Sequence, residues 1–92
     1  MPLLDDKIVA GKLLSMPKWK LEGGELVRRC EFSNFIEAML FVNNVAELAE
    51  GAGHHPDIDI RYNKVRLSLV THDAGGLTER DFDLASAIDS LI

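Results

Sequence analysis

The stretch His54-His55-Pro56-Asp57-Ile58-Asp59-Ile60-Arg61-Tyr62-Asn63-Lys64-Val65-Arg66-Leu67-Ser68-Leu69-Val70-Thr71-His72 decides the fold. Ile58, Ile60 and Tyr62 alternate with polar residues, and so do Val65, Leu67 and Leu69. A period of two places one side of a strand in a core and the other in water. Asn63-Lys64 between the runs is turn chemistry, so the stretch reads as a β-hairpin. With those two as the loop residues, Tyr62 faces Val65, and continuing the ladder brings position 55 opposite position 72. The hairpin thereby gathers His54, His55 and His72, all the histidines of the chain, within reach of one small ligand.

Upstream of the hairpin the period changes. From Ser33, the residues Phe35, Ile36, Met39, Leu40, Val42, Val45, Ala46, Leu48 and Ala49 recur at helical spacing for about four turns. Ser33 reads as the N-cap, and Gly51 and Gly53 as the end, since glycine is costly inside a helix and suits the left-handed residue after it. Before this helix, Trp19 to Leu21 and Leu26 to Phe32 flank Glu22-Gly23-Gly24-Glu25, a first hairpin. Residues 5–14 suggest a short opening helix, capped by Asp5 or Asp6 and ended by Pro17. Downstream, Thr78 and Asp81 have capping-box spacing, Leu77 and Phe82 form a hydrophobic staple, and Phe82, Ala85, Ile88, Leu91 and Ile92 make a buried stripe. The order α-β-β-α-β-β-α predicts an α+β fold, a four-stranded antiparallel sheet with three helices packed on one face. The other face, or a sheet edge, is free for water or a partner.

A chain of 92 residues, 47% hydrophobic and 27% charged, suits one globular domain spanning 1–92. No apolar run approaches the roughly 18–20 residues of a membrane span, and no basic-then-apolar leader opens the chain. One cysteine, Cys30, can form neither an internal disulfide nor a thiolate metal cage, which points to a reducing, cytoplasmic setting. Ten basic against fifteen acidic side chains give a net charge of −5, which disfavours direct binding of nucleic acid. The small size favours self-association, because a short chain leaves much apolar surface near the outside.

Imidazoles donate and accept, and their ordinary pKa near 6.5 lets them move protons at neutral pH, so three together suit acid–base work on a neutral substrate. Glu50 lies four residues before His54, placing a carboxylate and an imidazole on one side if the helical turn persists. Metal binding through imidazoles and Glu50 is the rival chemistry, but adjacent histidines tend to diverge and the spacing matches no zinc signature. Trp19 is either a flat wall for a ring-shaped substrate or packing. Arg80 is either a substrate clamp or a solvated helix residue, and local helix physics does not explain a cation in a first turn. A single histidine in a loop is more often solvated or structural, and only their convergence raises the functional reading.

Glu50-x-x-x-His54-His55-Pro56, Tyr62-Asn63-Lys64-Val65, Thr71-His72-Asp73 and Gly76-Leu77-Thr78-Glu79-Arg80-Asp81 strongly resemble the pterin-4a-carbinolamine dehydratase family over about residues 19–92. The resemblance implies dehydration of 4a-hydroxytetrahydropterin to quinonoid dihydropterin, in pterin cofactor recycling, with no metal or organic cofactor. It implies His54, His55 and His72 as catalytic residues, and Glu50, Pro56, Thr71, Asp73, Ala74, Trp19 and Arg80 as residues that line or brace the pterin pocket. It also implies a homodimer or homotetramer. One departure is Gly53, where the vertebrate motif has an acid. The alternative is an interaction module, since mammalian relatives stabilise dimers of a homeodomain transcription factor. Metal-dependent hydrolysis is a third option.

Overall fold

Four strands, β1 (Lys20–Glu22), β2 (Glu25–Glu31), β3 (Asp57–Arg61) and β4 (Lys64–Leu69), form one antiparallel sheet in the order β1-β2-β4-β3. Three helices, α1 (Asp6–Leu14), α2 (Phe35–Ala52) and α3 (Glu79–Asp89), complete the predicted order in this computed structural model, which describes residues 2–92. Alternation along the central strands sends Leu26 and Cys30 of β2 and Val65, Leu67 and Leu69 of β4 to one side. There they join Val9 of α1, Ala38, Phe41, Val42, Val45 and Ala49 of α2, and Phe82, Ala85 and Ile88 of α3 in one core. The opposite face carries Lys20, Arg29, Glu31, Asp59, Arg61, Lys64 and Arg66, so the helices cover a single face as the pattern requires. Burial pushes the Cys30 thiol up from its ordinary value, in keeping with a packing role.

The register of the second hairpin differs from expectation by two residues. Arg61 faces Lys64 and Ile60 faces Val65, so the loop residues are Tyr62 and Asn63, with Tyr62 in the left-handed region at φ 52°. A shift of two preserves which side chains face the core, so the apolar alternation could not distinguish the two registers. The turn chemistry decided it: Asn63 Nδ2 donates to the Phe32 carbonyl (2.7 Å), and Phe32 N–H donates to the Asn63 carbonyl (2.9 Å). These bonds tether the loop to the end of β2. In the observed register position 55 extrapolates opposite position 70, yet the ends of the two strands still converge.

The caps also need one correction. The α2 N-cap is Asn34, whose Oδ1 accepts from Glu37 N–H (2.9 Å), and not Ser33. Both residue types cap well, and spacing alone left the choice one residue out. Asn34→Ala should therefore cost about 1 kcal/mol in urea unfolding, whereas Ser33→Ala should leave the midpoint unchanged. At the other end, Gly51 stays helical and α2 stops at Gly53, where φ is 62°. Asp5 caps α1, and Thr78 with Asp81 forms the full capping box of α3.

Candidate active site

Two chain segments meet at the end of the β3–β4 hairpin. The first is the exit of α2, where His54 N–H donates to the Ala49 carbonyl (3.2 Å), a Schellman-type closure made possible by the left-handed Gly53. The second is the loop after β4, where Thr71 N–H donates to the Gly76 carbonyl (3.0 Å) and a 3-10 turn spans His72–Ala74. Between them lies a depression of about 230 Å³ lined by His54, His55, His72, Asp73 and Arg80, with Gly53 and Val70. The three histidines are thus brought to one small cleft.

Their environments differ. His54 is buried, at 8% exposure, and its Nε2 lies 2.5 Å from Oδ1 of Asp81, which is wholly buried. The other Asp81 oxygen accepts from Thr71 Oγ1 (2.8 Å) and from Thr78 N–H (2.9 Å), and the two threonine hydroxyls are 2.8 Å apart. Two donors, the Thr71 hydroxyl and the Thr78 amide, already converge on one oxygen of this carboxylate, and an ionised carboxylate can only accept at the other. Facing that acceptor, the neutral ring of His54 carries its hydrogen on Nε2 and its lone pair on Nδ1. Among the described residues Nδ1 has no hydrogen-bond partner, and it is not sealed from solvent, so it remains open to a ligand. His55 and His72 are exposed, and His55 Nε2 hydrogen-bonds Glu50. Glu50 thus pairs with His55 rather than with His54, because the chain leaves the helix at Gly53 and turns the His54 ring toward α3.

Of the other residues singled out, Asp73 and Arg80 border the cleft, while Pro56 and Ala74 flank it half-buried in the same two segments. Thr71 lies beneath the cleft, 1% exposed, its hydroxyl committed to Asp81 and Thr78. Trp19 is not brought here. It is 3% exposed in the core, and its Nε1–H donates to Asp89 Oδ1 (2.8 Å), eight residues along α3 from Asp81, a helical distance of about 12 Å. Its indole is a brace for the far end of α3. The residue that sequence reasoning placed only as a helix cap is Asp81. Its spacing from Thr78 announced one oxygen's role, and nothing local announced that the other reaches His54.

A larger depression of about 420 Å³ runs between α2 and α3 over Leu48, Ala52, Leu84 and Ala87 and shares His54 and Arg80 with the first. It holds one histidine, whereas all three converge in the smaller cleft. Among the described residues no three His, Cys, Asp or Glu side chains are arranged to hold a metal ion, and no helix is long and apolar enough to cross a membrane.

Residues 2–91 match the family model for pterin 4 alpha carbinolamine dehydratase. A protein of Acidobacterium capsulatum, provisionally named a pterin-4-alpha-carbinolamine dehydratase, is 64% identical over 92 residues, all of both chains. One from Chloroflexus aurantiacus with the same provisional name is 59% identical over 92 residues, covering 100% of this chain and 99% of the other. The crystal structure of a transcriptional coactivator/pterin dehydratase from Brucella melitensis superposes with a TM-score of 0.91 at 28% identity, over 96% of each chain. A pterin dehydratase-like protein identified as a RuBisCO assembly factor in the alpha-carboxysome gives a TM-score of 0.68 at 26% identity, over 80% of this chain and 88% of that one.

Proposed function

The chain belongs to the pterin 4 alpha carbinolamine dehydratase family, and from that premise we propose that it dehydrates 4a-hydroxytetrahydropterin to quinonoid dihydropterin by histidine acid–base catalysis. The observation that carries the reading is the convergence of His54, His55 and His72 on one cleft, with His54 oriented by Asp81. In the reaction the N5–H proton is removed, the N5=C4a bond forms, and the C4a–O bond breaks as the departing oxygen takes a proton and leaves as water. Neither half is fast alone, so an acid and a base are needed on either side of one bond system. His54 and His72 flank the reacting centre, one relaying the N5 proton and the other protonating the leaving hydroxyl. His55, steadied by Glu50, takes over one of these roles for the opposite stereoisomer at C4a. Pro56, Thr71, Asp73, Ala74 and Arg80 shape the pterin pocket around them.

The test is a stopped-flow assay with freshly generated 4a-hydroxytetrahydropterin, with and without a chelator. Acceleration over the spontaneous rate that survives chelation is expected. No acceleration would remove the assignment, and activity lost on chelation would move it to metal-dependent chemistry. The reading places the enzyme in the cytoplasm, in pterin recycling, as a homodimer or homotetramer.

A second reading has a specific observation behind it. Phe35 at 46%, Ile36 at 68% and Leu40 at 56% exposure form an apolar strip on the first half of α2, and one structural neighbour is a transcriptional coactivator/pterin dehydratase and another a RuBisCO assembly factor. A module that stabilises a partner's oligomer would use such a strip. Ile36→Glu with Leu40→Glu would then abolish partner capture, and alanine at the histidines would not.

A further inference from the structure

Arg80 sits in the first turn of α3, where a cation opposes the helix macrodipole, so α3 itself gives no reason for it. Its side chain leaves that helix: Arg80 Nη2 donates to the carbonyl oxygen of Gly53 at 2.6 Å. Gly53 is the residue in the left-handed region that closes α2, and the last turn of α2 contains no basic residue of its own. The cation missing from the negative end of α2 is therefore supplied by α3. One residue later, Asp81 from the same turn holds the ring of His54. The first turn of α3 thus grips the α2 exit twice, by the His54 side chain and by the peptide that precedes it.

Without the second grip only the His54 side chain would tie this exit to α3, and the peptide that carries it would have no hydrogen bond across. A Schellman closure with the Gly53 and His54 amides bonded to the α2 carbonyls fixes the helix end relative to itself, not relative to α3 and the His72 loop. His55 is exposed, and among the described residues its side chain is anchored only to the exposed Glu50. We propose that Arg80 is a positioning residue of the histidine site, acting through the Gly53 carbonyl to hold His54 and His55 in place opposite His72. Its planar fork can keep this bond while its stem borders the cleft. The proposal rests on the dehydratase reading for its kinetic consequence only, since the clamp on the α2 exit can be read without any substrate.

The experiment compares wild type with Arg80→Met, which keeps an unbranched apolar stem and loses every donor, and Arg80→Lys, which keeps a cation. Displacing a reacting group by about an ångström can cost up to a hundredfold. Arg80→Met should lower kcat about tenfold to a hundredfold while changing KM by less than about twofold. Amide hydrogen exchange at Gly53 and His54 should quicken about tenfold, with the Leu67 amide in the central strand unchanged. Arg80→Lys should recover much of both. A raised KM with kcat preserved would make Arg80 a direct substrate clamp and overturn the proposal. So would a lowered kcat with exchange at Gly53 and His54 unaltered. If the chain shows no dehydration at all, exchange alone decides: faster exchange supports the clamp and unchanged exchange refutes it. Should the methionine variant fail to fold, Arg80→Gln, too short to reach Gly53, takes its place under the same readings.

Discussion

His54→Ala and His72→Ala should each slow the catalysed dehydration about 10²–10⁴-fold, the range for losing one positioned proton-transfer group. The two variants differ in what else they disturb. His72 is exposed on its 3-10 turn, so its loss should leave unfolding unchanged and isolate the kinetic effect. His54 is buried against Asp81, and truncating it leaves a buried carboxylate oxygen without its partner, at about 1–3 kcal/mol. Asp81→Asn separates orientation from chemistry. An amide nitrogen facing Nε2 would be a donor, so the ring would have to present its hydrogen at Nδ1, where the free base is needed. That variant should fold and lose much of the rate with little change in KM. Stopped-flow rates, read beside urea unfolding curves, check all three. Wild-type rates in folded His54→Ala and His72→Ala together would remove the histidines from the chemistry.

What could be read in the sequence follows from the range of each interaction. Alternation at Ile58, Ile60, Val65 and Leu67 and the capping box at Thr78 and Asp81 are local, and they predict elements that the structure contains. The placement of the three histidines was legible for a similar reason: hairpin ends are fixed by neighbours in the chain, and a two-residue error in register does not separate them. The Asn34 cap was missed because Ser33 is chemically equivalent, and the Tyr62–Asn63 loop because its left-handed tyrosine is secured from β2, far away in sequence. Longer-range polar contacts leave no periodic trace. Asp81 to His54 spans 27 positions, Arg80 to Gly53 likewise 27, and Trp19 to Asp89 spans 70. Each of those groups looks locally like something simpler: a cap, a solvated cation, an aromatic at a pocket rim. The resemblance to known dehydratases added residue roles that no periodicity contains.

The largest effect on stability should come from the far end of α3, where Asp89→Ala should cost about 3 kcal/mol, the lower end of the range for breaking a buried ion pair. Arg28 points from β2 into the helix-covered side of the sheet at 9% exposure, a place that otherwise belongs to Leu26, Leu67 and Leu69. Its Nη1 pairs with Asp89 Oδ1, the same oxygen that accepts from Trp19. Among the described residues its buried Nε has no partner, and Asp89 is the only counter-charge that this guanidinium hydrogen-bonds. Removing the carboxylate would strand a buried cation and an indole N–H together, which costs more than the pair itself contributes. The Asp89 side chain keeps 31% of its surface open, and water entering there holds the cost near the bottom of the range. Replacing both charges, Arg28→Met with Asp89→Leu, should recover most of the loss, because apolar packing can substitute for a buried pair but not for half of one. The single tryptophan reports the outcome directly: its emission should shift to the red in Asp89→Ala and return in the double variant, with urea midpoints moving in parallel. An unshifted midpoint in Asp89→Ala would mean that the buried arginine finds solvent by another route, and that α3 is held to the sheet by Phe82, Ala85 and Ile88 alone.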